Sequence, residues 1–594
     1  MRLFLLSLLT LSANARFLYD FADLKGLDAY DFVIVGGGPG GSTVADRLSE
    51  DPTVSVLLLE AGGENDPAVD PALAIPLFCT TLTPNTAYDW NYTTVPQKEL
   101  NSRSIPYPLG IGLGGSSAVN CLVYTRGSAD DIDTWAELSG DEGWSWDNML
   151  PYFKKGEKFN TVPRDGHNTT GQYLPAFHGT DGVIGVSLPG YPYPFDGRVI
   201  NTTQELAEFP YRVDMNSGEH IGIGWVQTLV DGGQRSSAKT HLLRAEKEGR
   251  ENIDVLLHAR VSRVVPAVNG TLDLRSVEVL DSADGSLKVL TAKNEIILSA
   301  GSVMTPTILL HSGIGDPELL EPLGIATILS LPSVGKNLTD HIGVSTTFIA
   351  NSTDTYDTVL RNETLLNEWI EEWTENKTGL LTDTSENHAA WLRLPDNSTV
   401  FENYSDPSSG PLTAHYEFLF QNGLSSVRES GNYINVPTAC VSPASRGSVS
   451  INSTDPFSRP LVDPALLTAP VDILIVRESI KAARRFFSGP AWEGYILGSL
   501  NNNATTDEDI EAFIRENAVS FFHPVSTASM SPEGADWGVV DPDLKVKGVS
   551  GLRVVDASVI PRLPAAHTNA AVYAVAERAA DIIKAAYGLP VEAP

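Results

Sequence analysis

The feature that most constrains this fold lies near the N-terminus. Tyr30-Asp-Phe-Val-Ile-Val35 is a short apolar run that enters Gly36-Gly-Gly38-Pro-Gly-Gly41 directly. A helical stretch, Ser42–Ser49, follows, then the nearly continuous apolar run Val54–Leu59, which Glu60 ends. Strand, glycine turn, helix, strand and acid, in that order, describe a βαβ unit that takes a dinucleotide. A continuous apolar strand is what a parallel sheet covered on both faces requires. Gly36 permits the tight turn, Gly38 lets the backbone approach a pyrophosphate, and Gly41 allows close helix–strand packing. The helix N-terminus offers free N–H groups and partial positive charge to phosphate. Glu60 is placed to hold the ribose hydroxyls. The turn alone leaves NAD and FAD equally open.

At 594 residues the chain exceeds one simple core, so two large lobes are expected. Asp254–Val265 with Glu295–Leu310 forms a second α/β-like block, and Gly551–Asp556 with the helical Ala570–Ala586 forms a third. Less regular stretches rich in Pro, Gly, Asn and Trp separate them. The simplest assembly is one nucleotide domain made from 28–130, 230–335 and 520–590, with a second domain inserted as 131–229 and 336–519.

A formal net charge of −33 repels nucleic acid and anionic membrane surfaces, so neither is expected as a partner. Met1-Arg2, the apolar Leu3–Leu11 and Ala13-Asn-Ala15 have the order of a secretory leader over residues 1–15. Its apolar part is far shorter than the roughly 20 residues a bilayer needs. N-x-Ser/Thr sequons at Asn91, Asn168, Asn201, Asn269, Asn351, Asn362, Asn376, Asn397, Asn403, Asn452 and Asn503 agree with export and N-linked glycans. Their density between positions 350 and 405 predicts an exposed, sugar-coated region, whereas Asn337, which also fits the pattern, lies where burial is expected. The three cysteines, Cys79, Cys121 and Cys440, allow at most one disulfide. No cluster has metal-ligand spacing, so no metal is expected. A secreted, extracellular protein follows.

Near the C-terminus stand Phe522-His523-Pro524 and Ala566-His567-Thr568-Asn569. A neutral imidazole is suited to take a hydroxyl proton because its ordinary pKa, about 6.5, lies close to working pH. Thr568-Asn569 precedes an apolar-periodic helix, so Asn569 or its neighbour is a candidate N-cap. His241, His311 and His341 lack a comparable context and are read as structural.

Leu109–Asn120 through Arg126-Gly127 resembles the first signature of the glucose–methanol–choline oxidoreductases, and Ser299–Pro306 through Leu310–Gly315 resembles the second. Val334–His341 and the run from His523 to Ile583 resemble further blocks of that family. Gly140–Asn148 and Ser531–Lys545 look most like the fungal aryl-alcohol oxidases. The resemblance implies an α/β protein: a Rossmann-like FAD-binding domain interleaved with an α+β substrate-binding domain built on an antiparallel sheet and helices. It places Gly114, Ser116, Asn120 and Val123 along the flavin and its phosphates, and Val261 at the adenine. Asp556 and Ala557 fall near the pyrophosphate, and Ala300, Thr568 and Asn569 complete the cofactor set. Val119 stands where some members carry a histidine that bonds FAD, so the flavin is expected to be non-covalent.

By the same resemblance His523 is the base and His567 orients the substrate oxygen. The helix that follows turns its positive end toward the flavin edge where charge gathers on reduction. Glu417, in His415–Phe420, matches a carboxylate near the pocket; a solvent-facing acid on an alternating strand is the other reading. Phe522 keeps an aromatic position of the substrate channel. Cys121 stands where a tyrosine is typical, and the loop after Gln421-Asn422 reads Gly-Leu-Ser-Ser without the usual bulky ring. Two lost rings remove stacking worth about 0.5–1.5 kcal/mol each and should widen the entrance. The leading expectation is an alcohol oxidase that turns a primary, aryl or unsaturated alcohol into an aldehyde, with O2 becoming hydrogen peroxide. A sugar or alcohol dehydrogenase using quinone acceptors is the alternative, and a hydroxynitrile lyase the remote one.

Overall fold

The computed structural model describes residues 16–162, 166–282, 284–424, 428 and 430–592. The expected leader, 1–15, and Ser425-Ser426 of the loop after Asn422 lie outside the described residues.

Two sheets organise the chain. The first has six strands in the order Arg16–Leu18, Ile253–Leu256, Val56–Leu59, Phe32–Val35, Glu295–Leu298 and Leu552–Val554, all parallel. Every residue of Phe32–Val35 and Val56–Leu59 is buried, because helices and loops cover both faces. The helix Pro39–Leu48 packs against the C-terminal helix Asn569–Ala586. The first and last parts of the chain thus share one core.

Three details depart from the sequence-level assembly. Arg16–Leu18 adds an unanticipated edge strand. Asp254–Val265 divides: Ile253–Leu256 belongs to the parallel sheet, while Ala259–Val265 opens a separate antiparallel sheet with Ser276–Asp281 and Leu287–Thr291. The segment 131–229, expected in the second domain, also divides. Its helices Ala129–Ser139 and Trp146–Gly156 bury Trp135, Met149 and Phe153 in the first core, the latter helix lying on the C-terminal helix. Among the described residues of the segment, Tyr193, Phe195, Val199, Phe209 and Ile223 are buried in the second core, with Tyr191 and Leu206 packed against it.

The second sheet is antiparallel, in the order Ile496–Ser499, Ile342–Ala350, Tyr433–Cys440, Tyr416–Gln421, Glu386–Leu392 and Gly222–Trp225. The helix Pro470–Phe487 lies on one face. Strand alternation sends Tyr416, Phe418 and Phe420 into that apolar layer and leaves Glu417, Leu419 and Gln421 on the opposite face. Ile434 and Val436 alternate with Asn435 and Pro437 in the same way. The second face looks toward the parallel sheet. A short strand, Val519–Ser520, pairs with Ile342 and Gly343 and carries the chain across to His523.

Candidate active site

A cavity of about 640 Å³ runs between the sheets, from the glycine turn to the C-terminal histidines. Gly36, Gly38 and Glu60 line its nucleotide end. Gly36 has φ +107°, and a Cβ there would stand 2.4 Å from the Ser299 carbonyl. Gly41 faces the turn, not the cavity: its Cβ would stand 2.0 Å from the Gly36 carbonyl. Gly38 differs from both, since the nearest atom to its Cβ would be Gly115 Cα at 3.9 Å. The space before it is open, as close approach by a pyrophosphate requires. Glu60, expected to hold a ribose, has bonds of its own within the protein. Its carboxylate accepts N–H bonds from Gly37 and Gly62, both 2.8 Å, and Gly112, 3.0 Å, and so ties three loops together.

Along the middle, Ser116, Asn120, Val123, Val261 and Ala300 line the cavity, whereas Gly114 (φ +93°) turns its loop from outside the wall. Asp556 and Ala557 also face the space. Asp556 is held by Gly301 N–H (2.9 Å), Thr305 Oγ1 (2.6 Å) and the Ser558 N–H (2.8 Å), and burial raises its pKa.

Thr568 and Asn569 line the cavity where the C-terminal helix begins. The expected cap bond is not made: Thr568 is in helical conformation and its side chain caps nothing. The first-turn N–H groups and the positive helix end are left for a ligand. The Asn569 amide nitrogen and oxygen are both buried without a partner. Leaving such a group unpaired costs about 1–3 kcal/mol, so it calls for a polar group in the cavity. With the open approach at Gly38, this arrangement fits FAD laid along the cavity.

At the far end the His523 and His567 rings stand 4.6 Å apart, centroid to centroid, tilted by 48°. Asp340 positions the first. It accepts the His523 N–H (2.8 Å) and, on its other oxygen, Tyr107 Oη (2.6 Å) and Ser520 Oγ (2.5 Å). Burial raises Asp340 to about 6. Phe522, the expected channel aromatic, has φ +62° and is 43% exposed at the cavity mouth. Burial, reinforced by the facing His567 and His341, pushes His523 well below the ordinary imidazole value. Its neutral form, the one able to accept a proton, therefore persists into acid.

His567 donates its backbone N–H to Thr125 Oγ1 (3.0 Å). Its Nε2 lies 3.3 Å from Glu417 Oε2. Glu417 is wholly buried behind His567 and outside the cavity wall, so the solvent-facing reading of this acid is set aside.

His341, expected to be structural, is the residue that sequence reasoning missed. Its Nδ1 lies 3.0 Å from His523 Nδ1, and burial pushes it down to about 4. One ring must donate and the other accept; with His523 Nδ1 as the donor and His341 Nδ1 as the acceptor, His523 Nε2 is the unprotonated nitrogen, free to accept a proton from a substrate. The block Val334–His341 was a signal for it, as was its neighbour Asp340. Another expectation is corrected at Cys121. It is bonded to Cys79 (Sγ–Sγ 2.15 Å), and both line the cavity. The place of the absent tyrosine ring is taken by a crosslink to the segment Pro76–Thr81, not by open space.

A nucleotide cradle joined through one cavity to a buried imidazole group defines a flavin-dependent oxidoreductase. The chain belongs to the GMC oxidoreductase family, whose N-terminal model matches residues 30–343 and whose C-terminal model matches 443–576. FAD is its cofactor and CH–OH compounds are its donors. It is similar to a pyranose dehydrogenase of Agaricus campestris, 42% identical over 95% of each chain. A pyranose dehydrogenase 3 of Leucoagaricus meleagris is 41% identical over 94% of this chain and 93% of the relative. Among solved structures, formate oxidase of Aspergillus oryzae superposes with a TM-score of 0.86 at 29% identity, covering 94% of this chain and 98% of that one. A fungal aryl-alcohol oxidase does so with a TM-score of 0.82 at 29% identity, covering 94% and 100%.

Proposed function

We propose that this chain is an FAD-dependent dehydrogenase of pyranose-type sugars that hands electrons to a quinone in preference to O2. The observation that carries this reading is the wall opposite the histidines. Gln421, Asn435, Glu386 and Ser345 face the cavity from the second sheet. Asn435 Nδ2 donates to Gln421 Oε1 (2.7 Å), and Thr347 Oγ1 donates to Asn435 Oδ1 (3.0 Å). Gln421 Nε2 donates to Ser385 Oγ (3.2 Å), which in turn donates to Glu386. A connected polar wall suits a donor with several hydroxyls, because its fixed donors and acceptors can extend their hydrogen bonds to a polyhydroxylated ring. An aromatic alcohol would set an apolar ring against it. Four relatives above 40% identity carry the name pyranose dehydrogenase, which agrees with it.

When bound, FAD supplies the hydride acceptor. His523 Nε2 takes the hydroxyl proton, its neutral form held by burial and its other nitrogen engaged by His341. His567 donates a hydrogen bond to the substrate oxygen, with Glu417 behind it to offset charge. Val119 lines the cavity without an atom able to bond the flavin, so the cofactor is held non-covalently.

Anaerobic mixing with glucose and, separately, with 4-methoxybenzyl alcohol tests this reading through the flavin absorbance. Glucose should bleach it, benzoquinone should restore it at once, and air should restore it slowly. Bleaching by the aromatic alcohol alone, with rapid recolouring and peroxide in air, would replace the proposal with an aryl-alcohol oxidase. No bleaching by either donor would turn attention to lyase chemistry.

The reading includes export with N-linked glycans. Asn351, Asn362, Asn376, Asn397 and Asn403 are all exposed, as are five other sequon asparagines, while Asn91 and Asn337 are half-buried. No helix among the described residues is long and apolar enough to cross a membrane. Endoglycosidase treatment of the protein from culture medium should lower its mass; an unchanged mass would remove the glycans from the proposal.

A further inference from the structure

Behind the middle of the cavity wall sits a cation that the chemistry above does not use. Arg235 ends the strand Gln234–Arg235, beside the loop that carries Ser116 and Asn120. Its Nη1 donates to the Asn120 carbonyl (2.6 Å), the Asn120 side-chain Oδ1 (3.1 Å) and the Ser117 carbonyl (3.3 Å). Its Nε donates to the Leu73 carbonyl (3.1 Å), and its backbone N–H to the Ala74 carbonyl (2.9 Å). Every acceptor is neutral, and among the described residues no carboxylate pairs with it. Nη2 is buried with no partner at all. A buried guanidinium normally has a carboxylate or phosphate beside it, because desolvating an unpaired charge is costly. Burial lowers its pKa only to about 9, so it stays charged at neutral pH.

The contact with Asn120 has a directional consequence. Asn120 Oδ1 accepts from both Arg235 and the Leu122 N–H (3.3 Å), which fills its two lone-pair positions. Its NH2 group is thereby left to face the cavity, whose wall Asn120 forms.

We propose that Arg235 is a positioning residue for the redox step: it fixes the Asn120 amide with its N–H groups toward FAD and sets an uncompensated positive charge behind that contact. Reduction makes the flavin more negative, so a fixed positive charge in a water-poor wall favours the reduced form. A purely structural Arg235 would only fasten Leu73 and Ala74 to the glycine loop and would leave the reduction equilibrium unchanged.

The test is the flavin midpoint potential, measured on holoenzyme by dye equilibration, with Arg235→Gln and Arg235→Lys beside the wild type. No sugar or alcohol is needed, so the outcome is independent of the donor. Arg235→Gln should retain FAD and shift the reduction equilibrium against the reduced form by tenfold or more, about 30 mV for a two-electron couple. Arg235→Lys, which keeps the charge and a donor for Asn120, should restore most of that shift. An unchanged potential in flavin-loaded Arg235→Gln overturns the proposal. Should Arg235→Gln lose its flavin, Arg235→Lys decides: raising the pH through the titration of the lysine should disfavour the reduced flavin by tenfold or more relative to the wild type at the same pH, and an offset that is the same at every pH overturns the proposal.

Discussion

The two ends of the cavity are made differently. The nucleotide end is backbone: Gly36, Gly38 and Gly41 in one turn, N–H groups at the start of the helix Pro39–Leu48, and a carboxylate, Glu60, that gathers three glycine N–H groups. The donor end is side chain: His523, His567, His341, Glu417, Gln421 and Asn435 converge from strands and loops far apart in the chain. A backbone cradle tolerates almost any side chains but demands glycine where a Cβ would collide. A side-chain wall tolerates little change in the side chains themselves. Substitutions should therefore damage the first end through fit and packing, and the second through chemistry.

The sharpest break is expected at the donor end. His523→Ala should lower turnover by about 10²–10⁴, the usual worth of a positioned general base, while the bound-flavin spectrum stays normal. Near-normal flavin reduction in this variant would remove His523 from its role. The wild type carries a pH signature as well. Only neutral imidazole accepts the proton, and burial depresses His523, so activity should hold as pH falls past the ordinary imidazole value of about 6.5. The acid limb of the kcat/KM profile should lie below that value. A limb at or above it would mean that the base is not so desolvated in the working enzyme.

The same contrast explains what could be read from the chain alone. The βαβ unit is local, and its steric requirements appear as glycines at fixed spacing, so both cradle and cofactor end were legible. The donor wall depends on strand register. Whether Glu417 faces solvent or His567 turns on which face of Tyr416–Gln421 packs on the helix Pro470–Phe487, and alternation alone cannot say which face is covered. His341 illustrates the limit further: the block Val334–His341 marks the residue, but its contact with His523 joins two strand ends, and the block does not say which partner it meets 182 positions away. Cys121 read as a missing ring because the disulfide partner, Cys79, lies in an irregular segment whose path no periodicity predicts. Trp135 and Phe153, within the 131–229 segment expected in the second domain, pack in the first core for a related reason: amphipathic helices declare a buried face but not the core that buries it.

At the nucleotide end a pair of small substitutions separates packing from ligand approach. Gly41→Ala places a methyl 2.0 Å from the Gly36 carbonyl, and that backbone cannot yield without moving the turn. Overpacking of this kind costs about 1–3 kcal/mol, so thermal unfolding of the flavin-free protein should move down. Gly38→Ala meets nothing closer than 3.9 Å and begins from φ −81°, which any residue adopts. Flavin-free Gly38→Ala should therefore unfold with the wild type. Its methyl, however, projects into the space that a pyrophosphate must enter, so FAD affinity should fall while the apoprotein is unharmed. Equal loss of apoprotein stability in both variants would mean that Gly38 is kept for packing. The open approach at that turn would then no longer be evidence of where the cofactor lies.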